Sequence, residues 1–241
     1  MNIKVVLRLI LNFIHFDLTK NLEYDRLTKL IMQRTINPDS NCIDVGCHKG
    51  EILKYILKNA PNGKHYAFEP IPYLFKQLEK EFNSQNISLF SCALSDKAGE
   101  SSFQLVKNAP AYSGINKRKY DIQRPDIEEI KVELKTLDQI IPSQTKIDFI
   151  KIDVEGGEFG VLKGAKEILK SSQPIVIFEC GMGASDYYGT KPLELYEFIT
   201  QEIGLKISTL KSFIKGKDSL TPEDFEFCFK TNKEYYFIAH K

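Results

Sequence analysis

The sequence predicts an α/β protein in which a mostly parallel sheet carries helices on both faces, with a helical extension before it. Three observations point there. From residue 42 onward, short apolar runs of strand length alternate with stretches of helical period. Turn chemistry punctuates them, as in Asn37-Pro38-Asp39-Ser40 and Pro61-Asn62-Gly63. The chain is 241 residues long and 42% apolar, which is enough for one large buried core.

In order, the spacing predicts an amphipathic helix around the apolar stretch 5–16, where Ile3 just before it and Leu7, Ile10, Leu11 and Ile14 within it fall on one stripe, and a second helix over 22–35. Strand 42–45 follows, then helix 50–59, strand 65–68, helix 72–82 with proline in its first turn, and strand 87–91. After Asp96-Lys97-Ala98-Gly99 the pattern changes. Residues 101–106 and 130–134 read as two strands separated by a long polar stretch with Pro110, Gly114 and Pro125, and loops of that length usually carry function. Alternation resumes with strand 147–152, helix 159–170, strand 175–179, helix 192–203, strand 205–209 and a last strand 235–239. That makes about seven core strands, with no internal repeat. The expected division is an N-terminal helical extension over 1–38 and one domain over 39–241.

Composition excludes several classes. Thirty-three basic against thirty-two acidic residues leave a formal charge of +1, so nothing global draws the chain to nucleic acid. Cys42, Cys47, Cys92, Cys180 and Cys228 are odd in number, scattered, and without a C-x-x-C pair. They read as reduced thiols of a cytoplasmic protein rather than as a disulfide framework or zinc site. The N-terminal apolar stretch is interrupted by Arg8, Asn12 and His15, so no transmembrane segment is expected. Its helix is expected to pack on the body or on a partner subunit, as in a homodimer, with a membrane-surface anchor as the other reading.

In open α/β sheets ligands bind beyond the carboxyl ends of the strands. The first strand ends in Asp44-Val45-Gly46-Cys47-His48-Lys49-Gly50, where Gly46 permits a tight turn and Gly50 opens the next helix. The second ends in Phe68-Glu69-Pro70, placing a carboxylate nineteen residues after Gly50, where an acidic side chain accepts ribose hydroxyls of a nucleoside ligand. His48 stands where a dinucleotide turn wants glycine, and Asp44 repels phosphate while suiting a cationic amino group. An adenosine ligand of the S-adenosylmethionine type fits both.

These segments, together with Ala93-Leu94-Ser95-Asp96, Ile152-Asp153-Val154-Glu155-Gly156-Gly157-Glu158 and Val161-Leu162-Lys163-Gly164-Ala165, resemble the FkbM family of S-adenosylmethionine-dependent methyltransferases over about residues 41–203. The resemblance implies a Rossmann-like seven-stranded methyltransferase sheet whose last strand is antiparallel and inserts between the fifth and sixth. It implies methylation of a hydroxyl oxygen on a sugar, glycan or secondary-metabolite acceptor. Carried over by motif, Asp44, Gly46, Cys47, His48 and Gly50 cradle the methionine moiety, Glu69 and Pro70 meet the ribose, and Cys92, Ala93 and Leu94 lie beside the adenine. Cys47-His48 replaces the family's usual Ala-Asn, leaving His48 either an Asn-like polar contact or a titratable group.

A neutral hydroxyl must lose a proton, so a base is required. Asp153, Glu155 and Glu179 are the catalytic candidates, with Asp153 also a cofactor contact and His48 a further possible base. Glu158 reads as helix capping and dipole complementarity. A carboxylate pair at the ends of the fourth and fifth strands suits Mg²⁺, but Cys180 is a poor third ligand for a hard cation, so no metal is assigned. Acceptor recognition is expected in 107–126, with Ser113-Gly114 near the acceptor and Lys117-Arg118-Lys119 either meeting a phosphate or forming a solvated face, and in 181–188, with its tyrosines. Two other functions fit the same motifs, a catalytically silent S-adenosylmethionine-binding subunit or sensor and an N-methyltransferase. A nicotinamide-dependent oxidoreductase is opposed by His48 in the turn.

Overall fold

A computed structural model describes residues 19–82, 86–120 and 122–241. The helix expected over 5–16, and with it the subunit or membrane contact assigned to that helix, lies outside them. Elements are numbered here over the described residues.

Helix α1 (Lys20–Thr35) starts at Thr19, whose side chain accepts from the Leu22 amide, and ends before Asn37-Pro38. The sheet strands are β1 (Cys42–Val45), β2 (His65–Phe68), β3 (Ile87–Phe90), β7 (Phe149–Ile152), β8 (Ile175–Glu179), β9 (Lys206–Thr209) and β10 (Tyr236–His240). They lie in the order β3-β2-β1-β7-β8-β10-β9. The first five are parallel to one another, and β10 enters between β8 and β9 antiparallel to both, with Phe237 opposite Phe178 and Thr209. This is the seven-stranded arrangement that the resemblance implies. The order reverses between β1 and β7, so a crevice opens at their carboxyl ends.

The two strands read over 101–106 and 130–134 are longer than expected, β5 (Gly99–Val106) and β6 (Ile127–Lys135), and they leave the main sheet. They pair antiparallel with each other, and β6 also pairs with the short β4 (Ala93–Leu94), forming a three-stranded flap over the crevice. The single helix expected over 159–170 is two, α5 (Glu158–Lys163) and α6 (Lys166–Ser172). Gly164 separates them because a Cβ there would sit 2.1 Å from the Ser95 carbonyl oxygen, so the chain bends where it crosses the loop after β4. The helix beginning at Pro192 runs as α7 (Pro192–Glu197) and continues to Ile203 as a π-helical stretch. Helices α2 (Glu51–Asn59) and α3 (Pro72–Phe82) stand as expected. The short α4 (Leu137–Ile140) and α8 (Leu210–Ile214), and the longer α9 (Pro222–Thr231), have no counterpart in the sequence reading.

Alternate strand residues feed two cores. Ile43, Val45, Ile150, Ile152 and Phe178 pack against α5, α6 and α9, while Cys42, Phe149, Ile177 and Ile238 pack against α1, α2 and α8. Helix α1 is part of that second layer: Tyr24, Leu27, Ile31 and Met32 are buried, and apolar side chains of this size contribute about 1.5–3 kcal/mol each when buried. The same face turns polar toward the carboxyl ends. Asp44 and Lys151, register partners on β1 and β7, are both buried there. All five cysteines are free and buried, and no described helix is long and apolar enough to cross a membrane.

Candidate active site

Two clefts meet at the carboxyl ends of β1 and β7. The first lies between β1, β2 and the flap. Its polar wall is the turn after β1. Gly46 adopts φ +77°, and a Cβ on it would fall 1.9 Å from the Asp153 carbonyl oxygen, so only glycine lets the ends of β1 and β7 pass this closely. The amides of Gly46 and Cys47 both donate to the Phe68 carbonyl, tying the turn to β2. His48 also sits in the left-handed region, and its imidazole faces the cleft with Nε2 buried and unpartnered. Burial lowers the His48 pKa, which favours the neutral ring.

Glu69 follows β2 and is 4% exposed. Its Oε2 accepts from the His48 amide at 2.8 Å and its Oε1 from the Ile71 amide at 2.9 Å. Burial pushes its pKa up to about 7 against the opposing effect of those two amides. Each oxygen keeps a lone pair for a further donor. Phe68, Pro70, Cys92, Ala93 and Leu94 supply an apolar slot beside it, and Asp153 and Glu155 close the far end. Of the residues expected to hold a cofactor, the structure thus brings Gly46, His48, Glu69, Pro70, Cys92, Ala93, Leu94 and Asp153 onto one cleft. Asp44, Cys47 and Gly50 lie behind its wall. Asp44 is 2% exposed with Oδ2 unpartnered, its pKa pushed up to about 7 by burial. Cys47 packs with Leu53 and Leu78, and Gly50 caps α2 against Phe82.

The second cleft is larger and more polar. Asn21, Tyr24 and Asp25 of α1 form one side, Tyr112 and Arg118 of the loop before β6 another, and Tyr235 and Tyr236 a third. Asp153, Glu155 and Glu179 also line it, and Asp153 and Glu155 belong to both clefts. The three carboxylates named from sequence as catalytic candidates therefore do converge, each in a different state. Asp153 Oδ2 accepts from Tyr236 Oη at 2.7 Å and Lys151 Nζ at 2.9 Å. Glu155, at φ +60°, is ion-paired with Arg118. Glu179 is raised by burial and then by the charges of Asp153 and Glu158.

The polar loops behave more specifically than their composition suggests. Tyr188 Oη accepts from the Asn116 amide, Asn116 Nδ2 donates to the Tyr187 carbonyl, and the Lys119 amide donates to the Gly183 carbonyl. Tyr188 is thus a bracket between the two loops, whereas Tyr112 and Arg118 stack at 5.4 Å on the cleft wall. Ser113 lines the first cleft and its Oγ accepts from the Val106 amide, holding the end of β5. Arg118 turns inward to Glu155 instead of joining a solvated basic run.

Sequence reasoning missed Asp25, Lys151 and Tyr236. Lys151 carried a signal, an ammonium in the middle of Phe149-Ile150-Lys151-Ile152, where a buried charge demands partners. Asp25 and Tyr236 carried none, since they reach the cleft only through the packing of α1 and the insertion of β10.

Comparison with known proteins gives the chain its relatives. The family profile for the methyltransferase FkbM domain matches residues 44–206. AMB antimetabolite synthetase AmbE of Pseudomonas aeruginosa is 26% identical over 177 residues, 59% of this chain and 8% of its own length. Methyltransferase sdnD of Sordaria araneosa is 27% identical over 155 residues, 52% of this chain and 60% of its own. For 2-O-methyltransferase NoeI of Sinorhizobium fredii the match is 25% over 173 residues, 64% of this chain and 68% of NoeI. The chain thus spans less than two thirds of AmbE and sdnD. Among solved structures, methyltransferase FkbM from Methylobacillus flagellatus superposes with a TM-score of 0.53 at 15% identity, covering 85% of this chain and 44% of that one, a likeness of fold.

Proposed function

Because this chain belongs to the FkbM methyltransferase family, we propose that it transfers the methyl group of S-adenosylmethionine to a hydroxyl oxygen of a sugar, glycan or secondary-metabolite acceptor. The observation that carries the reading is the junction: an apolar slot with a ribose-ready carboxylate and a polar, tyrosine-lined cleft share Asp153 and Glu155 as their common wall. A relative described as a 2-O-methyltransferase supports oxygen as the atom methylated.

The first cleft fits the cofactor. Glu69 holds two free lone pairs beside the apolar slot, and His48, whose Nε2 is buried and unpartnered, and Gly46 line the same space. When bound, S-adenosylmethionine supplies an electrophilic methyl group on a sulfonium. The chain's own task is then alignment and proton removal. Alignment comes from rigid neighbours: Asp153 is fixed by Tyr236 and Lys151, and the turn after it is fixed by Glu158, whose Oε1 accepts from the Val154 and Gly156 amides. Proton removal falls to Glu179. It faces the second cleft, and burial among carboxylates brings its proton affinity toward neutral pH, where a general base is most effective. Glu155 is held by Arg118 and Asp153 by two donors, so both are better suited to positioning. Tyr24, Tyr112 and Tyr235 offer ring faces to a sugar or polycyclic acceptor.

The test is calorimetric titration with S-adenosylmethionine, then a screen of polyhydroxylated acceptors read by S-adenosylhomocysteine release. Binding near micromolar affinity and turnover on a hydroxyl acceptor are expected. Tight binding of NAD in place of S-adenosylmethionine overturns the reading, and turnover on amines alone overturns its oxygen specificity.

A further inference from the structure

The geometry points to a binding site for one divalent metal ion of the hard class, Mg²⁺ or Mn²⁺, formed by Asp153, Glu158 and Glu179 at the floor of the second cleft. These carboxylates come from three places, the end of β7, the start of α5 and the end of β8. Each offers an oxygen within 4.8 Å of the others. Oxygens on one hard cation bound at about 2.1 Å stand about 3 Å apart when cis and about 4.2 Å when trans, so the set closes on an ion if each oxygen moves inward by about 1 Å or less.

Convergence alone would describe any acidic cluster; the state of Glu158 sets this one apart. Its side chain is 1% exposed, and its Oε1 is used by the Val154 and Gly156 amides. Its Oε2 is buried with no hydrogen-bond partner. A buried carboxylate oxygen without a donor carries a desolvation cost that a donor, a proton or a cation removes. Asp153 is prepared in a complementary way. Tyr236 and Lys151 both donate to Oδ2, which fixes the group and leaves Oδ1 for a ligand, as the supporting partners of metal ligands do.

Charge agrees with geometry. Three carboxylates meet with Lys151 as the ammonium in contact, while Arg118 is taken by Glu155, and the surplus matches a divalent ion. The donor set is all oxygen, which selects a hard cation over zinc. Asp153 and Glu179 also line the cleft, so positions on the ion not filled by protein would face whatever occupies it.

This inference deepens the proposed function and rests on it only for its use. In that use, an acceptor hydroxyl coordinated to the ion ionises more readily. Its proton passes to water in the open cleft, its oxygen forms the bond to the methyl carbon, and the carbon–sulfur bond breaks to leave S-adenosylhomocysteine. A hydroxyl with a second oxygen beside it, as on a vicinal diol, would occupy two positions and be the preferred acceptor. The ion would then do by coordination what Glu179 does as a base without it.

Binding is tested without any acceptor, by titrating the full chain with MnCl₂ and following free Mn²⁺ by electron paramagnetic resonance. One equivalent should bind with a midpoint below about 1 mM and be displaced by Mg²⁺. Glu179→Gln and Glu158→Gln should each weaken it at least about tenfold, and Tyr236→Phe, which removes a donor that orients Asp153, by a smaller factor. Should Glu158→Gln fail to fold, Glu179→Gln on the open wall decides. Substoichiometric binding, or binding that Glu179→Gln leaves unchanged, overturns the site as adventitious. A parallel S-adenosylmethionine titration separates the two ideas: cofactor binding without Mn²⁺ binding sinks the metal site and spares the methyltransferase reading. Mn²⁺ binding with no cofactor affinity does the reverse.

Discussion

Glu69 and Glu179 are both carboxylates at strand ends of one sheet, on either side of Asp153, and their surroundings differ in kind. Glu69 is clasped by two backbone amides from its own and the neighbouring turn, so its position follows from local chain geometry. Glu179 faces Asp153 and Glu158, and its proton affinity rises from charges delivered by other elements. The first arrangement is one of shape and backbone, suited to holding a ligand; the second gathers negative charge, suited to acting on a proton or a cation. A methyl transfer needs both, because an electrophile must be held still while a nucleophile is uncovered.

The largest expected effect breaks this contrast on its reactive side. Glu179→Gln keeps the shape of the side chain and removes its charge, and kcat should fall by about 10²–10⁴. S-adenosylmethionine affinity should stay within about twofold, since Glu179 lies outside the first cleft. Single-turnover kinetics beside calorimetry make the comparison. A fall in cofactor affinity of the same size as the fall in rate would show that the two clefts are one functional unit, and undiminished kcat would remove Glu179 as base.

Next comes the static side. Glu69→Ala removes the acceptor of the His48 and Ile71 amides as well as the group offered to the ribose, and S-adenosylmethionine binding should weaken by about 1.5–3 kcal/mol. The turn should loosen with it, visible as faster hydrogen exchange at His48. Unchanged affinity would remove the ribose assignment.

The same difference explains what was legible in the sequence. The first cleft is written in contiguous motifs: Gly46, His48 and Glu69 each follow a strand closely, and the parallel order of β1, β2 and β7 puts their ends side by side. The sheet was legible for the same reason, since alternating apolar runs and the turns at 37–40 and 61–63 are local signals. The second cleft draws Asp25, Tyr112, Arg118, Asp153, Glu179 and Tyr236 from five separate elements or loops. Asp153, Glu155 and Glu179, at or just after strand ends, Tyr112 and Arg118, inside the long polar stretch, and Lys151, a charge inside an apolar strand, left a trace; Asp25 and Tyr236 left none. Glu158 reads as a helix cap, but α5 has no side-chain cap and Oε1 instead holds the turn before the helix; its approach to two other carboxylates depends on where β8 ends. The break at Gly164 was hidden because its cause is a carbonyl of Ser95, sixty-nine residues away in sequence.

A smaller effect should follow from freeing Glu155. Its pair with Arg118 spans the loop before β6 and the turn after β7, with side-chain exposures of 12% for Arg118 and 19% for Glu155. Because Glu155 faces an open cleft, water takes up much of the lost interaction, and the cost of Arg118→Met should be about 1 kcal/mol. It should appear as a KM for acceptor raised about fivefold, with kcat and cofactor affinity little changed. A change in kcat alone would instead place Arg118 on the reacting atoms.

The mildest test needs no mutation to begin with. Burial raises the Glu69 pKa to about 7, so the free protein holds this proton through mildly acidic pH while an unfolded chain has lost it near the usual carboxylate value. Between those values the folded state binds more protons, and this group's contribution to the stability of the free protein therefore falls as pH rises, reaching its full loss above about 7. Ligand binding has the opposite sign. Ribose hydroxyls donate best to the ionised carboxylate, so binding expels the proton, and S-adenosylmethionine affinity should climb from pH 6 to 8 and then level. If only the ionised form bound, the gain would be about tenfold; the protonated carboxyl still accepts one hydrogen bond, so roughly threefold to fivefold is expected. Asp44, raised to about 7 behind the same turn, titrates in this window too, and His48, lowered from its usual value by burial, lies on the cleft wall. Glu69→Gln separates them, because it cannot titrate and should bind with a nearly flat pH profile if Glu69 is the source. A profile as steep in Glu69→Gln as in the unmodified chain would assign the proton to Asp44 or His48 and move the electrostatic control of the first cleft from the ribose end to the methionine end.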